Sequence, residues 1–273
     1  LLHRANARRY AEHPVASLFY VGDGPALWIA AVLWTIGTGL GLATCVWIPR
    51  RMITAGDHRN AAPLPARLMP VVPPMVSAST GALLAPHIAS IELRLLFLRS
   101  CYVLFAISLT LGAIALAMIC RHLLRGGTPP LQAVPTVRIT LGLVGQSITA
   151  ANLLAVDAGS VFTGAHAGIA ADLVAFGIAY GASAGLFGVV MFAAATTLTV
   201  RAVRQGLTFS LTWWSFTWPV GTCVTGATAL GTALGWGVLH ALAVCQYALL
   251  VTAWAMAATR TMHGSISGRI FAP

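Results

Sequence analysis

Lysine is missing from this chain altogether, and carboxylates nearly so: sixteen arginines stand against six acidic residues. Charged residues make up 8% of the chain, where a soluble domain carries about a quarter. So little charge cannot cover a wetted surface, which excludes a soluble enzyme or binding domain. Motifs for metal and redox chemistry are missing too. The five cysteines (Cys45, Cys101, Cys120, Cys223 and Cys245) form no C-x-x-C pair and lie in or beside apolar stretches, where a thiol serves as a small hydrophobe. Neither H-E-x-x-H nor G-x-S-x-G occurs, and His240 sits in an apolar stretch without a spaced partner. The reading is therefore no enzyme, no catalytic residue, no metal and no cofactor. A net charge of +10 could suit nucleic acid, but no DNA- or RNA-binding motif accompanies the arginines, so no nucleic-acid partner is expected.

What the chain does have is long uncharged intervals, with an apolar fraction of 58%. They run from Gly24 to Pro49, Leu68 to Ile91, Ser100 to Cys120, Ile139 to Val156, Leu173 to Val200, and Gln205 to Thr259. The last is too long for one crossing and is broken by Gly231, Gly235 and Gly237. A helix needs about 20 apolar residues to cross the hydrocarbon, so the fold class is an all-α integral membrane protein with about seven transmembrane helices. The short alternating segments of a β-barrel are absent from the sequence. Gly37, Gly39 and Gly41 look superficially like a nucleotide loop, but inside an apolar span they point to close helix packing.

Arginines in short loops mark the cytoplasmic face. Arg50, Arg51, Arg59 and Arg67 follow the first span, Arg121 and Arg125 the third, Arg201 and Arg204 the fifth, and Arg260 and Arg269 the last. These segments alternate correctly for one side. Asp157, Asp172 and Glu92 are assigned to the other. The chain divides into a basic N-terminal segment (1–24), a transmembrane helical domain (25–260) and a cytoplasmic tail (261–273), in a multi-pass cell-membrane protein. One feature breaks the pattern: Arg4, Arg8 and Arg9 fall on the outer face. A lost span would repair it, and the short apolar run Pro14 to Val21 is the candidate remnant. Beginning at Leu1 without methionine, the sequence reads as processed or as a fragment.

Spans two, four and six share a repeat: Pro73 to Leu84, Leu143 to Leu154, and Pro219 to Leu230. Aligned columns hold Ser77, Ser147 and Cys223; Ser79, Thr149 and Thr225; and Gly81, Ala151 and Ala227. A fixed period implies a repeated structural unit, here one helical hairpin. Two readings stay open. The small-xxx-small faces serve helix packing, or the three helices also converge on a path, their hydroxyls and proline-marked backbone replacing a solute's water. The path candidates are Pro73, Pro74, Ser77, Ser79, Gly145, Gln146, Ser147, Thr149, Trp218, Pro219, Thr222 and Thr225. Gln146 either bonds a neighbouring helix or offers its amide to an anion. Arg138, at the entrance of span four, either snorkels to the interface or supplies positive potential.

The strings LMPVVPPMVSASTGALL (Leu68 to Leu84), LGLVGQSITAANLL (Leu141 to Leu154) and FSLTWWSFTWPVGTCVTG (Phe209 to Gly226), with HPVASLFY (His13 to Tyr20), resemble the tellurite-resistance/C4-dicarboxylate transporter family. That family includes the malate transporters and the plant slow anion channels. The resemblance implies a ten-helix pore fold of five hairpins, its odd-numbered helices around the pore, and a homotrimer. Spans two, four and six would be the fifth, seventh and ninth helices. The chain would be an N-terminally truncated, incomplete version lacking the first two helices and most of the third. The resemblance also implies an aromatic plug on the ninth helix, matched by Trp218, with Phe216 as the fallback.

The function expected is membrane transport of small anions or C4-dicarboxylates, impaired by the missing helices. The alternative is a structural remnant that inserts in the bilayer and conducts nothing. The expected partners are a small anionic solute and lipid.

Overall fold

Proline and glycine decide where the apolar intervals become helix. A computed structural model describes residues 23–54 and 65–267. Seven α-helices fill them: α1 (Asp23–Thr54), α2 (Pro73–Leu84), α3 (Ile91–Leu124), α4 (Ile139–Val161), α5 (Ala167–Arg204), α6 (Trp218–Leu234) and α7 (Gly237–Ile266). No strand occurs among the described residues. The basic N-terminal segment, with its remnant Pro14 to Val21, lies almost wholly outside the described residues.

Five of the crossings are long and apolar enough to span a membrane; α2 and α6 are not among them. The interval Leu68 to Ile91 was expected as one helix, but α2 has only 12 residues. Pro65 opens a preceding 3₁₀ turn, Pro73 and Pro74 open the helix itself, and Pro86 lies in the 3₁₀ turn that follows it. Proline lacks the amide hydrogen a continuing helix needs. The backbone carbonyl of Val71, just ahead of α2, instead accepts a hydrogen bond from Ser108 Oγ on α3. That contact spares a polar group from facing hydrocarbon. The long final interval breaks where its glycines stand: Gly235 has a φ of 66°, in the left-handed region that favours glycine, and caps α6. Gly235 and Trp236 alone separate α6 from α7.

The sequential helices fold as antiparallel hairpins around α4. The span containing α4 is 89% buried, against 11% for those of α5 and α7, which makes α4 the axis of the molecule. It packs on α6, α5, α2 and α3, while α1 leans on α2 and α7 on α6. The repeat helices thus lie side by side in the order α2, α4, α6. No substantial contact joins α2 to α6, so the expected convergence of all three is realised only through α4. The glycine series of α1 is partly a packing device: a Cβ on Gly41 would lie 2.8 Å from Pro73 Cβ, whereas Gly37 and Gly39 face open space. Asp157 was assigned to an outer loop, but α4 continues to Val161 and Asp157 is buried within it.

Candidate functional site

The crossing of α4 and α6 is closer than ordinary side chains permit. A Cβ on Gly145 would lie 2.5 Å from the backbone carbon and oxygen of Thr222, and one on Gly226 would lie 2.8 Å from the Gly145 oxygen. Small residues let two membrane helices approach to backbone contact. Further along the same contact, Thr149 Oγ1 and Thr225 Oγ1 are hydrogen-bonded at 2.9 Å. Thr222 is buried, its hydroxyl donating to the Pro219 carbonyl at 2.8 Å.

On its opposite flank α4 meets α2 through polar groups. Gln146 Nε2 donates to Ser79 Oγ in a short hydrogen bond, so the amide is engaged with a neighbouring helix. Ser147 turns away from both repeat partners and accepts from the Tyr180 hydroxyl of α5 at 2.7 Å. Ser77 Oγ accepts from Thr38 Oγ1 at 2.9 Å, while the Ser77 carbonyl accepts from Trp34 Nε1 at 2.8 Å. Pro74 and Pro219 are buried in the packing.

Between α1 and α2, reaching as far as Trp218 of α6, lies a groove of about 410 Å³. Leu33 and Trp34 of α1, Pro73, Ser77 and Thr80 of α2, and Trp218 of α6 bound it. Trp218 is 43% exposed, and its ring occupies the space a Cβ on Gly142 would need. Only Pro73, Ser77 and Trp218 of the expected path residues line this groove. Gly145, Gln146, Thr149, Thr222 and Thr225 form instead the seam that ties α4 to its neighbours.

Arg138 opens α4 and heads the helix face on which Gly142, Gly145 and Thr149 follow. It is only 8% exposed. Its guanidinium carbon lies 4.7 Å from the ring centre of Phe216 and 5.3 Å from that of Phe192 on α5. Such faces attract a cation through the ring quadrupole. Nη2 donates to Thr196 Oγ1 at 3.2 Å, and Nε has no partner among the described residues. Phe216, the fallback for the plug, is therefore one wall of the arginine's cage. Thr196 and Phe192 carried no sequence signal, because a threonine and a phenylalanine in the apolar helix α5 look like any others there.

The voltage-dependent anion channel family matches residues 1–262. The chain belongs to that family. Its members are channels and transporters, not enzymes. The match agrees with the resemblance carried by the strings around Ser77, Ser147 and Trp218. Among curated proteins, the chain is similar to the sulfite efflux pump SSU1 of Arthroderma otae, at 23% identity over 253 residues. The sulfite efflux pumps of Arthroderma benhamiae and Trichophyton rubrum are each 24% identical over the same length. The alignments cover 88% of this chain and 64% of each relative, so the chain spans under two thirds of their length. No solved structure matches it. This member of the voltage-dependent anion channel family is thus a multi-pass membrane protein with several apolar helices.

Proposed function

We propose that this chain passes small anions across the membrane along the groove that α1 and α2 form beside Trp218 of α6. The observation that carries the reading is Arg138, the one buried arginine among the described residues, caged by two aromatic rings with an unsatisfied Nε. Buried cations in a membrane helix are costly and mark solute paths by default. An anion passing Trp218 would come under the potential of Arg138, whose cage includes Phe216, two residues away in sequence. Trp218 acts as the occluding ring, and Ser77 and Thr80 offer hydroxyls in the groove. Gly145, Thr149, Thr222, Thr225, Gln146 and Ser79 hold the wall rather than touch the solute.

A single guanidinium suits a compact anion with one charge. A C4-dicarboxylate presents two carboxylates and would leave the second without a buried cation. Hydrogensulfite, the singly charged form of the sulfite named for the fungal relatives, and chloride are therefore favoured over malate. The C-terminal tail lies on the cytoplasmic face in this reading, following the arginine pattern, and trimerisation is the assembly the family resemblance favours.

Proteoliposomes loaded with sulfite, chloride or malate provide the test. The expected result is saturable sulfite or chloride flux exceeding malate flux, with Trp218→Ala raising the rate severalfold by opening the groove. Absence of flux from a correctly folded, inserted chain would favour the non-conducting structural role instead.

A further inference from the structure

A second buried charge lies at the other end of α4, and neither transport through the groove nor helix packing makes use of it. Asp157 is 7% exposed, and no donor reaches its Oδ2 among the described residues. Helix α3 packs against α4 and carries Tyr102. The Tyr102 hydroxyl is itself buried without a partner. Two polar groups, one on each of two packed helices, are thus shut away from water. Each would be expensive in hydrocarbon if it stayed unsatisfied.

The cation whose charge bears on Asp157 is Arg94, but that guanidinium is engaged elsewhere. Its Nε and Nη2 donate to the Ile88 carbonyl at 3.0 and 2.6 Å, and Nη2 also reaches the Pro86 carbonyl at 3.2 Å. No ion pair joins Arg94 to Asp157 among the described residues. Arg99 and Glu92 of α3 are exposed, and the other elements packed on α4 supply no buried counter-charge among the described residues. Helix α2 carries no titratable side chain, and His87, His166 and Asp172 on the adjoining turns and α5 are exposed. A carboxylate without a paired cation or full hydrogen bonding is disfavoured in such a place, and neutralisation by a proton is the simplest remedy.

We propose that Asp157 is a proton-binding site of the transmembrane core, taking up a proton on its buried, unpartnered Oδ2. Losing that proton places a bare charge where α2, α3 and α4 meet: Cys101 Sγ on α3 occupies the space beside Gly81 of α2. The same α2 carries Ser79, the partner of Gln146. Passage through the groove should therefore depend on pH at the face where α4 ends. This last step rests on the proposed anion flux, whereas the proton site does not.

Infrared spectroscopy on protein containing isotope-labelled aspartate, in lipid, reads the proton directly. The expected result is a protonated-carboxyl band at neutral pH that disappears in Asp157→Asn and persists in Asp172→Asn. Absence of the band in the wild-type chain would overturn the proposal, as would its survival in Asp157→Asn. Loss of the band on adding sodium would also overturn it, because the site would then hold a metal cation. If Asp157→Asn fails to fold, Asp157→Glu, which removes the labelled aspartate and keeps a carboxyl, should lose the labelled band, and its survival there would overturn the proposal. In proteoliposomes, Asp157→Asn should abolish the pH dependence of flux and Asp157→Glu should keep it. Equal pH dependence in wild type and Asp157→Asn would refute the link to transport. A wild-type chain with the band but no flux would refute the transport reading and leave the proton site standing.

Discussion

Arg138 and Gly145 sit on one face of α4 and illustrate two uses of a single residue in a membrane. Arg138 brings charge to a depth where charge is scarce, and its planar guanidinium suits the two rings that cage it. Arg138→Gln should lower sulfite or chloride flux at least tenfold, roughly 1.4 kcal/mol in the barrier. Arg138→Lys should recover only part of that, since an ammonium lacks the planar stacking face. Flux measured beside a melting curve separates a transport defect from a folding one. Gly145 contributes by having no side chain. Gly145→Ala forces a methyl against the Thr222 backbone and should destabilise the protein by about 1–3 kcal/mol. Gly39→Ala, at a site with nothing within 4 Å, should leave the melting temperature unchanged or slightly raised. Thermal unfolding in detergent reads both.

The repeat helices show what an apolar sequence can and cannot disclose about its elements. Helices α3, α5 and α7 were legible because length and hydropathy alone define them, and Gly235 marked the α6–α7 turn because a left-handed residue favours glycine. Helix α2 was not legible at its true length. The interval around it is uniformly apolar, and only the proline positions, read one by one, show how little of it can be helical. Asp157 was misread for a related reason: a charge usually ends a span, but here it is buried within one. At the site, the Gln146 contact with a neighbouring helix was one of two readings the sequence allowed. The cage around Arg138 is built from residues distant in the chain, so spacing could not reveal it. The tie between α2 and α4 can be measured. A double-mutant cycle of Gln146→Leu with Ser79→Ala should give a coupling of about 0.6 kcal/mol, typical of hydrogen bonds between membrane helices. A coupling near zero would mean the short Gln146–Ser79 contact adds nothing to stability.

At the scale of the whole molecule, hairpin topology fixes sidedness. Single cysteines in a cysteine-free background at Arg125, Arg204 and His263 should label from one face of the membrane, and one at Thr163 from the other. Labelling of Arg204 and Thr163 from the same side would refute the antiparallel arrangement. The brevity of α2 has an electrical corollary. Twelve residues of α-helix rise about 18 Å, whereas the hydrocarbon of a bilayer is about 30 Å thick. The 3₁₀ turns that flank α2 carry carbonyls that need partners, and where protein does not supply them water must. Where water reaches those turns, the insulating layer beside α2 is little more than half as thick as the surrounding lipid. A membrane voltage falling across that thinner layer exerts a correspondingly steeper field on any ion in the groove.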